Sequence, residues 1–211
     1  MAIRVLTADD YPIVRAGIAA MIANESDLEL VGEASDGAEA VALFAELRPD
    51  VVLMDLRMPN MGGVAAIRAI VSAHPTARVV ALTTYAGDAD IHRALEAGAC
   101  GYLLKDMLGK EVIKAVRISA AGGRVIPPDV ARRLAEFTPR TELTNRELEV
   151  MRLAAQGLSN RDIARSIGRT EATVKVHLKN LMAKLGVHDR TEAVVLALRR
   201  GIIHLEQEPP P

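Results

Sequence analysis

The chain holds a single cysteine, Cys100, in 211 residues, so no disulfide can form within it. A lone thiol in an apolar stretch reads as packing and fits a reducing cytosol. No apolar run approaches the roughly 20 residues of a membrane span, and the opening MAIRVLTADD meets acids before a signal-like core could form. A membrane or secreted protein is therefore not expected, and the expected location is the cytoplasm. There is no tryptophan and no internal repeat, yet half the composition is apolar, enough for one large core or two ordinary ones. Net charge is only −1, but it is unevenly spread. Residues 1–122 carry 11 basic against 16 acidic side chains, a net of −5, while residues 123–211 carry 15 against 11, a net of +4. Such asymmetry points to a nucleic-acid-facing second half.

The first half alternates short apolar runs with amphipathic segments. Ile3 to Thr7, Leu28 to Glu33, Val51 to Met54, Arg78 to Leu82 and Gly101 to Leu104 are each short enough to be strands. Between them, helical spacing of about 3.6 residues recurs around Ile13 to Met21, Ala38 to Leu47, Val64 to Ala73, Asp90 to Ala97 and Lys110 to Ala121. Parallel neighbours need crossover connections, so this alternation predicts an α/β fold, a doubly wound five-stranded parallel sheet of order 2-1-3-4-5.

The polar residues of interest stand at the strand ends: Asp9 and Asp10 after the first, Asp55 after the third, Thr83 and Thr84 after the fourth, Lys105 after the fifth. Asp55 closes the run VVLMD, and an unpaired carboxylate inside a core costs several kcal/mol, which places it at the strand's mouth. In the predicted order, the first and third strands flank the point where ligands bind in open α/β sheets. Three like charges converging there need neutralising. A few carboxylates that leave room for water and phosphate oxygens form the Mg²⁺ pattern. Lys105 would supply a point charge for a phosphoryl group and Thr83 a neutral donor, while a carboxylate can itself accept a phosphoryl group as an acyl phosphate. Each residue also has a plain reading. Asp55 can cap a turn stiffened by Pro59, Asp9 and Asp10 can cap the helix near Pro12, Thr83 can be an ordinary strand end and Lys105 a solvated lysine.

The set Asp9-Asp10, Asp55 in MDLRMP, Thr83 in ALTTY, and Tyr102 with Lys105 in GYLLKD closely resembles the receiver domain of bacterial two-component response regulators. The resemblance implies that Asp55 is the phospho-acceptor, and that Asp9, Asp10, Asp55 and the main-chain carbonyl of Arg57 bind Mg²⁺. It further implies that Thr83 and Lys105 contact the phosphoryl group and that Tyr102 is the aromatic that turns inward as Thr83 moves. Many receivers have proline after the lysine; here Asp106 follows Lys105.

Residues 1–121 thus read as a receiver domain and 122–141 as a linker. Gly122-Gly123 ends the last helix and Ile126-Pro127-Pro128 keeps it from resuming; Asp129 can cap a short helix, Val130 to Phe137, that Thr138-Pro139 stops. Residues 142–206 then show four helices, at about 145–156, 160–167, 171–185 and 190–200. They open on Thr144-Asn-Arg-Glu147, Ser159-Asn-Arg-Asp162, Thr170-Glu171 and Asp189, and stop at Gly157, Gly168, Gly186 and Gly201. The second and third form a helix-turn-helix candidate. On the third, Val174, Leu178, Leu181 and Leu185 make one core stripe. The opposite side shows Ala172, Val176, Lys179 and Ala183, with no acid between Ala172 and His188. Such a surface suits a helix in the major groove; the plain alternative is a solvated face on which Glu171 pairs Lys175, although that leaves Lys179 and Lys184 without partners. Residues 207–211 read as a disordered tail.

This half resembles the LuxR-type helix-turn-helix at the carboxyl terminus of NarL/FixJ response regulators. The resemblance implies that Lys175, Val176 and Lys179 reach base edges and that Thr173, Asn180, Lys184 and Arg190 contact phosphates. The last helix, with Val194, Val195 and Leu198, would then meet a second copy, unless those side chains belong to the domain's own core. The expected function is a response regulator, not an enzyme. Phosphorylation of Asp55 by a sensor histidine kinase would control homodimerisation and binding to palindromic or repeated DNA half-sites. The alternative is a constitutive DNA-binding regulator whose first domain is a protein-interaction scaffold. An aspartate-nucleophile phosphatase of the haloacid dehalogenase type would need a second Asp where Arg57 stands.

Overall fold

The computed structural model describes residues 1–84, 87–107, 109–136 and 143–204. The chain forms two compact units, the first running to Leu134 and the second taking in the residues from Ala135 onward together with Gly87–Asp90. In the first, strands β1 (Ile3–Ala8), β2 (Leu28–Ala34), β3 (Val51–Asp55), β4 (Val79–Thr83) and β5 (Gly101–Leu104) form a parallel sheet in the order β2-β1-β3-β4-β5. Helices α1 (Pro12–Ala23), α2 (Gly37–Leu47), α3 (Gly63–Ala73), α4 (Asp88–Glu96) and α5 (Lys110–Ala120) connect the strands and follow the last one.

Both sheet faces are covered, which is why the strands read as continuous apolar runs rather than alternating ones. Leu6, Val52, Met54 and Ala81 pack on one side with Ala40 and Phe44 of α2, Ile67 and Ile70 of α3, and Ile91 of α4. Val5, Val51, Leu53, Val80 and Leu82 pack on the other with Ile18 and Ile22 of α1 and with Val112 and Val116 of α5. At about 1.5 to 3 kcal/mol for each fully buried aliphatic side chain, this double layer fixes the sheet, and with it the positions of the strand ends.

The expected linker is not a bare connector. A helix α6 (Pro128–Glu136) follows α5, so Asp129 lies inside it rather than before it. Val130 is buried in the same cluster as Phe44 and Ile70. Phe137, Thr138-Pro139 and the tail 207–211 lie outside the described residues.

The second unit holds α7 (Asn145–Ala155), α8 (Asn160–Ser166), α9 (Glu171–Leu185) and α10 (Arg190–Arg199), close to the sequence reading. The caps are formed as read: Thr144 and Glu147 make a reciprocal capping box, and Ser159, Thr170 and Asp189 accept from the amides of Asp162, Thr173 and Glu192. Gly186 closes α9 at φ 70°, a left-handed cap that glycine adopts without penalty. Val150, Met151, Ile163, Val174, Leu178, Leu181 and Leu185 form the core.

Candidate metal centre and nucleic-acid interface

The strand order sets the acidic site. β1 and β3 are neighbours, so Asp9, one residue past β1, and Asp55, the last of β3, leave the sheet side by side. Asp9, Asp10 and Asp55 each bring a carboxylate oxygen within 4.8 Å of the others. Asp9 is fully buried and Asp55 is 2 % exposed, deeper than the expected strand mouth. That depth is tolerable because Lys105, at the end of β5, arrives to compensate: its Nζ lies 2.6 Å from Asp9 Oδ2 and 2.9 Å from Asp55 Oδ2. Backbone amides take the other oxygens, Tyr11 N donating to Asp9 Oδ1 at 3.0 Å and Arg57 N to Asp55 Oδ1 at 3.2 Å. The N-cap position of α1 is taken by Tyr11, so neither Asp9 nor Asp10 occupies it.

Burial dominates the electrostatics. It pushes the Asp55 carboxyl up from 3.8 to about 6, against the pull of the Lys105 charge and hydrogen bond. Asp10 is also raised, by burial and then by the Asp9 charge. Burial alone would lower Lys105, but the two carboxylates beside it outweigh that and raise it. Asp10 Oδ1 is buried and has no hydrogen-bond partner. An orphaned carboxylate oxygen beside two further carboxylates is the donor set a hard divalent cation takes, so these residues fit Mg²⁺.

Thr83 and Tyr102 are both fully buried, Thr83 ending β4 next to β3 and Tyr102 within β5 on the α3–α4 side of the sheet. Two contributors escaped the sequence reading. The Tyr11 ring stacks beneath Lys105, 5.5 Å from Nζ to the centroid, a contact that favours the cation; its position directly after Asp9-Asp10 was the available signal. Gly63 lies so close under the loop that a Cβ there would sit 1.9 Å from the Asp55 carbonyl oxygen.

In the second unit, α9 turns Val174, Leu178, Leu181 and Leu185 inward and leaves Ala172, Lys175, Val176, Lys179, Asn180 and Ala183 exposed, Val176 at 56 %. Lys175 does pair with Glu171 at 3.0 Å, but both are well exposed, and such pairs are worth only a few tenths of a kcal/mol. Thr173 is half-buried, its hydroxyl 2.9 Å from that of Thr170. Two expected phosphate contacts are otherwise engaged. Lys184, expected to lack a partner, places Nζ 2.7 Å from the buried Glu147 carboxylate at the start of α7. Arg190 donates to the Ala154 and Leu158 carbonyls and to Asn160 Oδ1, tying α10 to the end of α7 and the start of α8. On α10, Val194 and Leu198 pack partly on the domain's own core, whereas Val195 is 49 % exposed.

Comparison with known families agrees with both halves of this geometry. Residues 5–117 match the response regulator receiver domain, and residues 141–197 match the bacterial regulatory proteins of the luxR family. The chain belongs to the LuxR-family response regulators. It is 41 % identical over 208 residues to the response regulator protein VraR of Staphylococcus aureus, covering 96 % of this chain and all of VraR. Among solved structures, the response regulator ChrA of a heme-sensing two-component system is 41 % identical, with a TM-score of 0.58 and coverage of 96 % of this chain and 99 % of ChrA. RcsB of Salmonella enterica serovar Typhimurium, solved on promoter DNA in the presence of the phosphomimetic BeF3⁻, is 28 % identical, with a TM-score of 0.66 and coverage of 93 % and 98 %. The response regulator is thus a two-domain transcriptional regulator with a receiver fold and a LuxR-type DNA-binding domain. No helix among its described residues is long and apolar enough to cross a membrane.

Proposed function

We propose that Asp55 of this cytoplasmic regulator accepts a phosphoryl group from the phosphohistidine of a sensor kinase, and that the acyl phosphate promotes homodimerisation and sequence-specific DNA binding. The observation that carries this reading is the Asp55 carboxylate itself, held beside Asp9, Asp10 and Lys105 and ionised above pH about 6. In the transfer, a bond forms from an Asp55 carboxylate oxygen to phosphorus as the phosphorus–nitrogen bond breaks, and the imidazole keeps the electron pair. Asp9, Asp10, Asp55 and the Arg57 carbonyl would hold Mg²⁺, which would supply the positive charge that lets an anion approach three carboxylates. Lys105 and the Thr83 hydroxyl then hold phosphoryl oxygens, and Tyr102, already fully buried, is the aromatic that follows Thr83. Charge-assisted hydrogen bonds are worth about 1.5 to 3 kcal/mol each. Reversing a 1:99 equilibrium takes about 5.5 kcal/mol, so two or three such contacts suffice to throw a switch.

For DNA, α9 lies in the major groove with Lys175, Val176 and Lys179 at base edges and Thr173 and Asn180 toward the backbone. Lys184 and Arg190 hold the domain together instead of reaching phosphates. The exposed Arg161 of α8 and Arg169 of the α8–α9 turn take that role, because the first helix of such a motif crosses the backbone. A dimer would set two α9 helices on half-sites about one helical turn apart.

The test treats wild type and Asp55→Ala with acetyl phosphate and Mg²⁺. It reads phosphorylation on a phosphate-affinity gel, mass by analytical ultracentrifugation and DNA affinity by anisotropy. Wild type alone should be modified, and should gain mass and affinity together. Equal affinity with and without acetyl phosphate would favour the constitutive scaffold reading.

A further inference from the structure

Beyond α5 the chain turns at Gly122-Gly123 and comes back along β5, the edge strand of the sheet. There Val125 pairs with Gly101 in a single parallel bridge: Tyr102 N donates to Val125 O at 2.8 Å, and Val125 N donates to Cys100 O at 3.2 Å. Unpaired edges are liabilities that proteins cover, and here the cover is the chain's own connection to the second domain. On either side of Pro127-Pro128, Ile126, Val130 and Leu134 fall at four-residue spacing and form one apolar stripe. Val130 is 1 % exposed and the other two are half-buried, all against the cluster that contains Tyr102, Ala81 and Ile91. Ala131 and Arg132 on the other side of α6 are exposed.

β5 therefore serves two masters. Its edge holds the strap, and the residue directly after it, Lys105, bridges Asp9 and Asp55. We propose that residues 124–134 are a strap latched to the β5 edge by Val125 and to the receiver core by Val130, and that phosphoryl transfer to Asp55 loosens this latch. The proposal rests on the phospho-acceptor reading of Asp55. A phosphoryl group on Asp55 needs the space and the charge that Lys105 now gives to Asp55 Oδ2, so Lys105 leaves its double ion pair for the phosphoryl oxygens. Leu104, paired with Thr83 across β4, is drawn with it. The two hydrogen bonds of the Val125 bridge are matched to the present position of β5, and a one-residue bridge has no further ladder to hold it when that position changes. The freed segment is the one that leads into the DNA-binding domain.

Hydrogen exchange on the full-length protein tests this, comparing untreated protein with protein given beryllium fluoride and Mg²⁺. Amides of 124–134 should exchange about tenfold faster in the treated wild type and remain unchanged in treated Asp55→Ala. Val130→Ala should produce the faster exchange without treatment. Val125→Pro, which removes one latch donor and leaves Val130 in place, serves as the second variant and should do the same. If peptides around Asp55, Thr83 and Lys105 respond to beryllium fluoride while the strap exchanges unchanged or more slowly, the strap is overturned and the phospho-acceptor reading stands. If neither responds, that reading falls and the coupling with it. Slow exchange of the strap in both untreated variants would show that Val125 and Val130 are not the latch.

Discussion

Replacing Asp55 by asparagine should make the metal-free receiver more stable, although it removes the proposed phospho-acceptor. Burial raises this carboxyl from 3.8 to about 6 even with Lys105 alongside. The native state therefore keeps its proton to higher pH than the unfolded chain does. Linkage fixes the sign: this group's contribution to stability is greatest below pH about 4, declines as the pH climbs through 6, and is then fully lost. At 1.36 kcal/mol per pH unit, the ionised carboxylate costs the native receiver about 3 kcal/mol at pH 7.5. Asp55→Asn keeps the shape and removes the charge, so it should gain about that much at pH 7.5, less at pH 6 and nothing near pH 4. The assay is urea denaturation in EDTA from pH 4 to 8, with the receiver transition followed separately because a two-domain chain need not melt in one step. Adding Mg²⁺ should shrink the gain, since a cation held by all three carboxylates would favour the wild type over a variant that keeps two. A variant no more stable than wild type at pH 7.5 in EDTA, or a gain independent of pH, would refute the argument.

Other substitutions test the rest of the architecture. Gly63→Ala forces a Cβ against the Asp55 carbonyl and should cost about 3 kcal/mol or more while slowing acetyl phosphate uptake; denaturation and phosphate-affinity gels read both. Glu147→Ala strands the half-buried Lys184 and breaks the α7 capping box, and should destabilise the DNA-binding domain by about 3 kcal/mol or more in thermal melts. Arg161→Ala and Arg169→Ala should each reduce the slope of log affinity against log salt by about 0.9, whereas Lys184→Met should leave the slope unchanged and lower only the melting temperature. Anisotropy titrations across a salt series separate the two outcomes.

What was legible in the sequence is what local rules write. The strands showed because burial on both faces turns them into short apolar runs, and they end within a residue or two of their expected limits. The helices of the second domain showed because each carries its own cap. The strand-end aspartates, Thr83 and Lys105 could be placed together because a doubly wound order makes β1 and β3 neighbours. What escaped were partnerships between distant residues that no period encodes. Glu147 reaches Lys184 across 37 positions, and Arg190 reaches carbonyls more than 30 positions earlier, so both cations looked outward when read along their own helices. The Val125 bridge is a single residue wide and leaves no alternating pattern, although Ile126, Val130 and Leu134 at four-residue spacing were visible signs of a packed α6. Asp55 sits deeper than expected because the lysine that makes its burial tolerable lies 50 positions away.

The two lysine ion pairs show how charge stoichiometry separates a working site from a structural one. Lys184 meets one carboxylate, Glu147, which also accepts from the Thr144 amide and hydroxyl. Burial pushes Glu147 up, but those donors hold it below the usual carboxylate range. There one charge answers one charge across α9 and α7. Lys105 meets three carboxylates, contacts two, and leaves Asp10 Oδ1 buried without a partner. Three carboxylates thus face one lysine ammonium, and a divalent cation is the charge that would answer the excess. A buried site persists in that condition only at a cost in stability, and a divalent cation bound among those carboxylates would relieve it.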